Sequence, residues 1–418
     1  SKNFNILNYF ALFDDLPGRE ILKFNLKKKS YIFFSILKSI YHLGYCSNFK
    51  FFYKKNVFQN KFKNIFITWS IKKNITKKNI FIDKYTNFDS KNKDTLWIII
   101  IEENFSNFKL ADNIVVLSLN KTKFDKIFFL KLLLINTFKL LLLRKNIFFN
   151  FNSYLGKFIF KFIHKNINIL KIDNLYLPYE GQPFQKFLIH SMKKINKKLK
   201  CSGFDHNAPH SLPLQMYYNR TAPDILYVMG KETKRVYCKF FNWSKENVKF
   251  YFNMKKYQNL QKKINYILLP YNNYSQNEIL FLIDQFDYYF KLKLEQIDFK
   301  NIFIKIHPEK INNLNHILFK KKLEKLIKKY SNKYLFKQHN QYFIFYVGHT
   351  TSIINHFDRN TKNIHFCLYP EFDLYNPFMW KGIKTKKISN FIYEYLMINQ
   401  KHFLNKKLKK ISFENMAM

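Results

Sequence analysis

The chain has little cysteine, and none of it is paired in sequence. Cys46, Cys201, Cys238 and Cys367 form no CxxC pair and no metal-like spacing. That argues against a disulfide framework and leaves four reduced, incidental thiols of the kind a cytosolic protein carries. A clean apolar run is missing as well. The best candidate, IFFLKLLLINTFKLLLLRKNIFF (Ile127 to Phe149), is interrupted by Lys131, Lys139, Arg144 and Lys145. It falls short of the roughly 18–20 uninterrupted residues that a bilayer span requires, and reads as a buried or interfacial helix. No repeat with a period of about 20–50 residues recurs, so a solenoid is excluded. The chain opens on Ser1, and no targeting segment can be judged from that end.

Acid is scarce too. Asp and Glu number 28 against 72 Lys and Arg, a formal net charge of +44. Such a charge ordinarily announces a nucleic acid or an anionic membrane. Yet the residues in excess, Lys, Asn, Phe, Ile and Tyr, share codons built largely from A and T. An AT-rich genome drives surfaces toward Lys and Asn and cores toward Ile and Phe with no ligand involved. Drift is therefore preferred to a nucleic-acid groove. The charge still draws the chain toward anionic lipid or phosphate-bearing ligands at low salt.

What is present is enough for two domains with real cores: 418 residues, 47% hydrophobic and 19% aromatic. Ser30 to Tyr45 reads as a helix. The following NFKFFYKKNVFQNKFKNIFITW interleaves aromatics with Lys, as single-stranded nucleic-acid grooves do, but strands in a Phe/Lys-rich chain look the same. TLWIIIIEE and NIVVLSLN are continuous apolar runs of the parallel-sheet kind. A helical stretch over Lys126 to Leu143, a strand in INILKIDNLYLPYEG and a helix opened by Pro183 follow. KCSGFDHN and DILYVMG supply two more strands. The polar segment from Lys231 to Lys263 is poorly periodic and holds the domain junction. Strand and helix then alternate again through INYILLPYNN, NIFIKIHPEK, YFIFYVGHTTSIINHF and NIHFCLYP.

This alternation predicts an α/β protein with two doubly wound, Rossmann-like domains facing across a cleft. The expected division is an acceptor-side domain over 1–250, a nucleotide-binding domain over 251–392 and a C-terminal helix over 393–418.

The chemistry clusters at strand ends. NIFIKIHPEK alternates like a buried strand and stops on His307-Pro308; the proline ends the strand and fixes the imidazole where it can meet a phosphate. The next strand ends at Gly348, and Thr350, Thr351 or Ser352 can cap a following helix and form an anion site. In the first half, Glu180-Gly181-Gln182 ends a strand, and the carboxylate is placed to act as general base or to cap the helix behind it. The long loop GFDHNAPHSLPLQMYYNRTAPD carries Asp205, His206, His210 and Arg220. Zinc from Asp205, His206 and His210 lacks a Cys or HExxH partner, so no metal is expected.

In order, YEG, HP and TTS resemble the acidic-Gly, His-Pro and Ser/Thr motifs of GT-B bacterial glycosyltransferases. The likeness is to CMP-sugar (sialyl and Kdo-type) transferases and other surface-carbohydrate biosynthesis proteins, over roughly Asn174 to Pro377. Tyr179 stands where that family has its first acidic residue. The resemblance implies an inverting, metal-free, cofactor-free enzyme with a nucleotide-sugar donor and a glycan or glycolipid acceptor. Glu180 would be its base, and His307 would contact the nucleotide phosphate and assist the leaving group. Pro308, Gly348, Thr350, Thr351, Ser352 and Asn272 of the PYNN turn would line the nucleotide; Gly181, Gln182, His206 and His210 would meet substrate. It further implies a cytoplasmic protein, peripheral on the inner face of the cell membrane. The rival readings are a basic nucleic-acid-binding protein and a catalytically dead GT-B scaffold.

Overall fold

The computed structural model describes residues 49–75, 80–102, 105, 110–119, 126–131, 133–134, 151–206, 214–251, 264–270, 272–307, 310–332, 342–350, 353, 361–375 and 377–398. Described residues up to Tyr251 form one compact unit, and those from 264 onward form a second. The helix expected over Ser30 to Tyr45 lies outside the described residues.

The first unit is an eight-stranded sheet. Its strands are β1 (Phe49–Phe52), β2 (Asn64–Ser70), β3 (Thr95–Ile101), β4 (Ile114–Leu119), β5 (Asn174–Pro178), β6 (Lys200–Phe204), β7 (Ile225–Val228) and β8 (Val248–Phe250). The order is β1-β4-β3-β2-β5-β6-β7-β8. Every neighbouring pair is parallel except β1, which runs antiparallel to β4 at the edge. All seven residues of β3 and all six of β4 are buried, as strands covered on both faces must be. Beneath them Phe66 stacks on Trp97 with centroids 4.4 Å apart, and Phe204 stacks on Tyr227 at 5.1 Å. The aromatic-Lys interleaving near residue 50 is packing: Phe51 stacks on Phe162 at 3.7 Å and on Phe158 at 5.2 Å.

Three helices of this unit matter below: α1 (Phe151–Asn166), α2 (Pro183–Ile195) and α3 (Lys231–Phe240). The sequence reading missed α1, because its Phe and Lys alternate too densely for one apolar stripe to stand out. It also took Lys231 to Lys263 as poorly periodic throughout. Instead α3 buries Glu232, Thr233, Val236 and Tyr237 at helical spacing, and β8 follows; the units divide within 252–263.

The second unit is six-stranded: β9 (Asn265–Leu269), β10 (Ile302–Ile306), β11 (Tyr342–Val347), β12 (Thr361–Phe366), β13 (Ile383–Lys387) and β14 (Ile392–Ile398), in the order β10-β9-β11-β12-β14-β13. The first four are parallel, and β14 and β13 continue the sheet antiparallel. Helices α4 (Gln276–Leu292) and α5 (Leu314–Ser331) connect the parallel strands, and a single turn, α6 (Pro370–Asp373), follows β12. Ser275 and Glu278 cap α4 reciprocally, a device visible in the sequence.

Two expectations need correction here. The C-terminal helix over 393–418 is a strand where it is described: Ile392–Ile398 pairs with both β12 and β13. Its Ile and Tyr side chains suit a sheet, and pairing to β12 decides the matter over local propensity. The remainder, 399–418, lies outside the described residues. Nor is NIFIKI a buried strand. β10 lies at the sheet edge, Phe303 is 56% exposed and Lys305 is exposed, so one face of that alternation meets solvent.

Both units are doubly wound α/β sheets of the Rossmann-like class. Each has a point where the winding reverses, the place at which open α/β sheets bind ligands. In the first unit β2 leads outward to β3 and β5 leads the other way to β6, so the switch point lies at the ends of β2 and β5. In the second it lies at the ends of β9 and β11.

Candidate functional site

The end of β5 delivers Tyr179, Glu180, Gly181 and Gln182 to the switch point of the first unit. The turn is braced by Gln185 in the first turn of α2. Its buried amide oxygen accepts from the backbone N–H of Glu180 and of Gln182, each at 3.0 Å, while its NH₂ donates to the Pro178 carbonyl. Gly181 has φ +71°, and any Cβ there would overlap the backbone carbonyl of Gln215. Only glycine fits. The result is a fixed carboxylate: Glu180 Oε2 accepts from Gln182 Nε2 at 3.0 Å, and Oε1 lies 2.9 Å from His206 Nε2.

His206 arrives from the end of the neighbouring strand β6. Its side chain is 10% exposed, whereas that of Glu180 is 37% exposed and open to a reactant. The ring of Tyr85, from the loop after β2, lies 4.4 Å from the His206 ring. That loop is itself pinned by buried Asp83, whose carboxylate accepts from Thr68 Oγ1, the N–H groups of Tyr85 and Thr86, and Thr86 Oγ1. Burial pushes the Asp83 carboxyl upward, with those donors pulling the other way. Two strand ends thus meet at the Glu180 carboxylate, and the loop between β2 and β3 packs on the His206 side of the pair.

Asp205 turns away from its neighbour. Its Oδ2 accepts from Tyr237 of α3 at 2.8 Å and its carbonyl from Tyr251 at 3.1 Å, and burial together with Asp205 drives the Tyr237 phenol well upward. Tyr179 is wholly buried and packs over Gly203, where a Cβ would come within 2.7 Å of it. Burial raises its phenol strongly, so in this chain the position is apolar packing and no second acid. Lys186, one helical step beyond Gln185, is 9% exposed, and burial pushes its ammonium down to about 8. His210 lies outside the described residues.

In the second unit, Asn272, Gly348 and Thr350 sit at the switch point, and His307 ends the adjacent strand β10. His307 is half-buried, and its N–H donates to the Leu269 carbonyl at 3.1 Å, locking the two strand ends together. Gly348 has φ +55°, and the close approach it permits is that of the Tyr274 hydroxyl, which a Cβ would meet at 2.7 Å. Its carbonyl lies 2.6 Å from Nε2 of buried His365, whose Nδ1 is 3.1 Å from the Tyr395 hydroxyl. A carbonyl only accepts, so Nε2 carries the proton and Nδ1 accepts from Tyr395. Burial holds this imidazole neutral, at about 4. Thr350 is buried and its hydroxyl donates back to the Val347 carbonyl at 2.9 Å. Pro308, Thr351 and Ser352 lie outside the described residues.

The structure therefore brings Glu180, Gly181, Gln182 and His206 together, and in the second unit Asn272, Gly348 and Thr350 follow the ends of the neighbouring strands β9 and β11. Sequence reading missed Gln185, Tyr85 and Tyr237. The first was findable, because Gln182-Pro-Phe-Gln185 has the spacing of a reciprocal helix cap. The other two meet the site only through tertiary packing.

No protein-family model and no curated protein matches the chain. Among solved structures it is similar to the crystal structure of a glycosyltransferase from Rickettsia africae ESF-5. The two are 11% identical, 75% of this chain and 86% of that one are covered, and the TM-score is 0.33. A likeness at that level carries no argument, and the doubly wound fold rests on the strand orders above.

Proposed function

We propose that the chain is a glycosyltransferase that moves a sugar from a nucleotide-activated donor to a hydroxyl of a glycan or glycolipid acceptor. One observation carries the reading. At the switch point of the first unit stands a fixed, solvent-reachable carboxylate, Glu180, with one oxygen turned to His206 and the other to Gln182. The carboxylate is held in one orientation and reaches solvent, so a hydroxyl brought to it meets a positioned proton acceptor.

In the reaction, the acceptor oxygen forms a bond to the anomeric carbon as the bond from that carbon to the nucleotide phosphate breaks. The hydroxyl proton passes to Glu180 and the electron pair leaves with the phosphate. His206 holds the carboxylate in line with the attack. Direct displacement of this kind inverts the anomeric centre. The order of the motifs supports a CMP-linked donor. On the second unit, the motif order assigns the departing phosphate to His307 and to the Gly348 and Thr350-Thr351-Ser352 stretch of the sequence, where hydrogen-bond donors would stabilise the developing charge. Each unit's assignment is tested on its own.

The test is calorimetry of the whole chain against CMP, UDP and GDP, with and without Glu180→Gln, together with transfer assays using the nucleotide sugar that binds. Binding of one nucleotide by both forms, with transfer lost only in Glu180→Gln, supports the reading. Transfer that survives in Glu180→Gln refutes the base, and a chain that binds no nucleotide is not this enzyme.

A further inference from the structure

The first turn of α5 and its cap clamp the turn that leaves β9. Asn315 Nδ2 donates to the Tyr274 carbonyl at 2.6 Å, Asn313 Nδ2 to Asn273 Oδ1 at 3.5 Å, and His316 Nε2 lies 2.9 Å from the Pro270 carbonyl. The Tyr274 hydroxyl donates to the Val347 carbonyl at 3.4 Å, so the same turn is tied to the end of β11. Asn313 Oδ1 accepts from the N–H groups of Asn315 and His316, at 3.1 and 3.2 Å. Those two bonds fix which atom of the Asn313 amide is the oxygen.

His316 is fully buried, and both of its ring nitrogens face atoms that only accept. Nε2 meets the Pro270 carbonyl, and Nδ1 lies 3.1 Å from Asn313 Oδ1. A neutral imidazole has one N–H and satisfies one of them, leaving a lone pair against an oxygen at the other; an imidazolium satisfies both. Burial pushes the imidazole down, the Pro270 carbonyl pulls it up, and Lys310 presses it down again. Among the described residues Lys310 is the charged group that acts on it, and Tyr274, with ring centroids 5.8 Å apart, is its titratable neighbour.

A second group at this turn is incomplete. Asn272 Nδ2 is buried with no hydrogen-bond partner. A buried donor left so costs free energy that a ligand oxygen would return. We propose that His316 positions the β9 turn for a phosphate-bearing ligand and takes up a proton from solvent as that ligand binds. The inference rests on the glycosyltransferase reading for the class of the ligand. An anionic oxygen at the turn gives Asn272 its acceptor and supplies negative charge that offsets desolvation and Lys310. The proton on His316 then completes the bond to Asn313. Linkage sets the sign: binding raises the imidazole above its value in the free protein. Affinity is therefore highest in acid and is lost as pH rises through the value in the complex.

The experiment is calorimetry of the full chain with CMP, UDP and GDP in turn, from about pH 5.5 to 8.5 in buffers of different ionisation heat. His316→Gln keeps a donor within reach of the Pro270 carbonyl but cannot titrate, and it corrects for protons exchanged by the nucleotide itself. The wild type should take up more protons per nucleotide than His316→Gln, by up to about one, and its affinity should fall more steeply with pH, by up to about tenfold per unit. His316→Ala lacks the donor as well and should bind about tenfold more weakly than His316→Gln. Ring-nitrogen NMR of the wild type at neutral pH should show one protonated nitrogen on His316 in the free protein and two in the complex. Equal proton uptake by wild type and His316→Gln, or an imidazole that keeps a single N–H in the complex, would overturn the proposal and leave the enzyme reading standing. A chain that binds none of the three nucleotides overturns both.

Discussion

The two units wind their sheets the same way and use the reversal point in opposite ways. In the first, β5 ends on a carboxylate that stays reachable, and everything around it is brace: Gln185 below, His206 beside it, Tyr85 over His206. In the second, the corresponding turn at Gly348 is filled from within by the Tyr274 hydroxyl and by neutral His365. The same topology therefore yields a charged, open strand end in one unit and a neutral, sealed one in the other. A switch point marks where a ligand can bind; the side chains that fill it decide whether reactive groups or only backbone and edge residues face that ligand.

The sharpest way to break this contrast is to neutralise the open side. Glu180→Gln keeps the shape but exchanges one acceptor oxygen for an NH₂ and removes the proton acceptor, so transfer should fall by about 10²–10⁴-fold with nucleotide affinity unchanged. His206→Asn should cost less, because it loosens the carboxylate without removing it. If the two variants are equally impaired, His206 does more than orient.

Acid should find the sealed side first. The His365 imidazole is held neutral, at about 4 against an ordinary 6.5. The unfolded chain therefore binds more protons between those values, and stability falls as pH drops from about 6.5 to 4. The full loss is about 3 kcal/mol at 1.36 kcal/mol per pH unit. Urea titrations followed through that window should show the slope in the wild type and lose it in His365→Gln. A slope that persists assigns the acid sensitivity elsewhere.

The open side has a liability at the alkaline end. Lys186 is buried and held near 8 by desolvation, against 10.5 in the unfolded chain. Between those values the unfolded chain again binds more protons, so the wild type should gain stability as pH rises from about 8 to 10.5. Below pH 8 the ammonium is charged in both states, and its burial costs up to about 3 kcal/mol. Lys186→Met should recover most of that at pH 7 and remove the alkaline slope.

How much of this was legible in the sequence divides along the same line. Continuous apolar runs such as TLWIIII announce themselves because burial on both faces leaves no room for anything polar, and the alternation of strand and helix follows from them. The strand-end position of Glu180 was equally readable. Its pairing with His206 was not, because 26 residues separate them and only the adjacency of β5 and β6 brings them together. β10 was misread as buried because alternation cannot say which strand lies at an edge. The strand at Ile392–Ile398 was misread because its identity depends on β12, a partner nearly 30 residues earlier in the chain. Phe and Lys excess also blurred the period of α1, where composition overwhelms pattern.

The smallest effect separates two glycines that look alike in sequence, since each follows a strand and each has positive φ. At Gly181 an added Cβ strikes the backbone carbonyl of Gln215, which cannot yield without moving the segment that carries it. Gly181→Ala should therefore cost about 2–3 kcal/mol, strain and overlap together, and should displace Glu180 enough to lower activity. At Gly348 the obstacle is the far end of the Tyr274 side chain, which can shift by a few tenths of an ångström. Gly348→Ala should cost only the backbone strain of about 1–2 kcal/mol. The double variant Gly348→Ala with Tyr274→Phe distinguishes the two contributions. If removing the hydroxyl restores nothing, strain alone sets the cost at Gly348, and the interior seal is a consequence of the turn and not its cause.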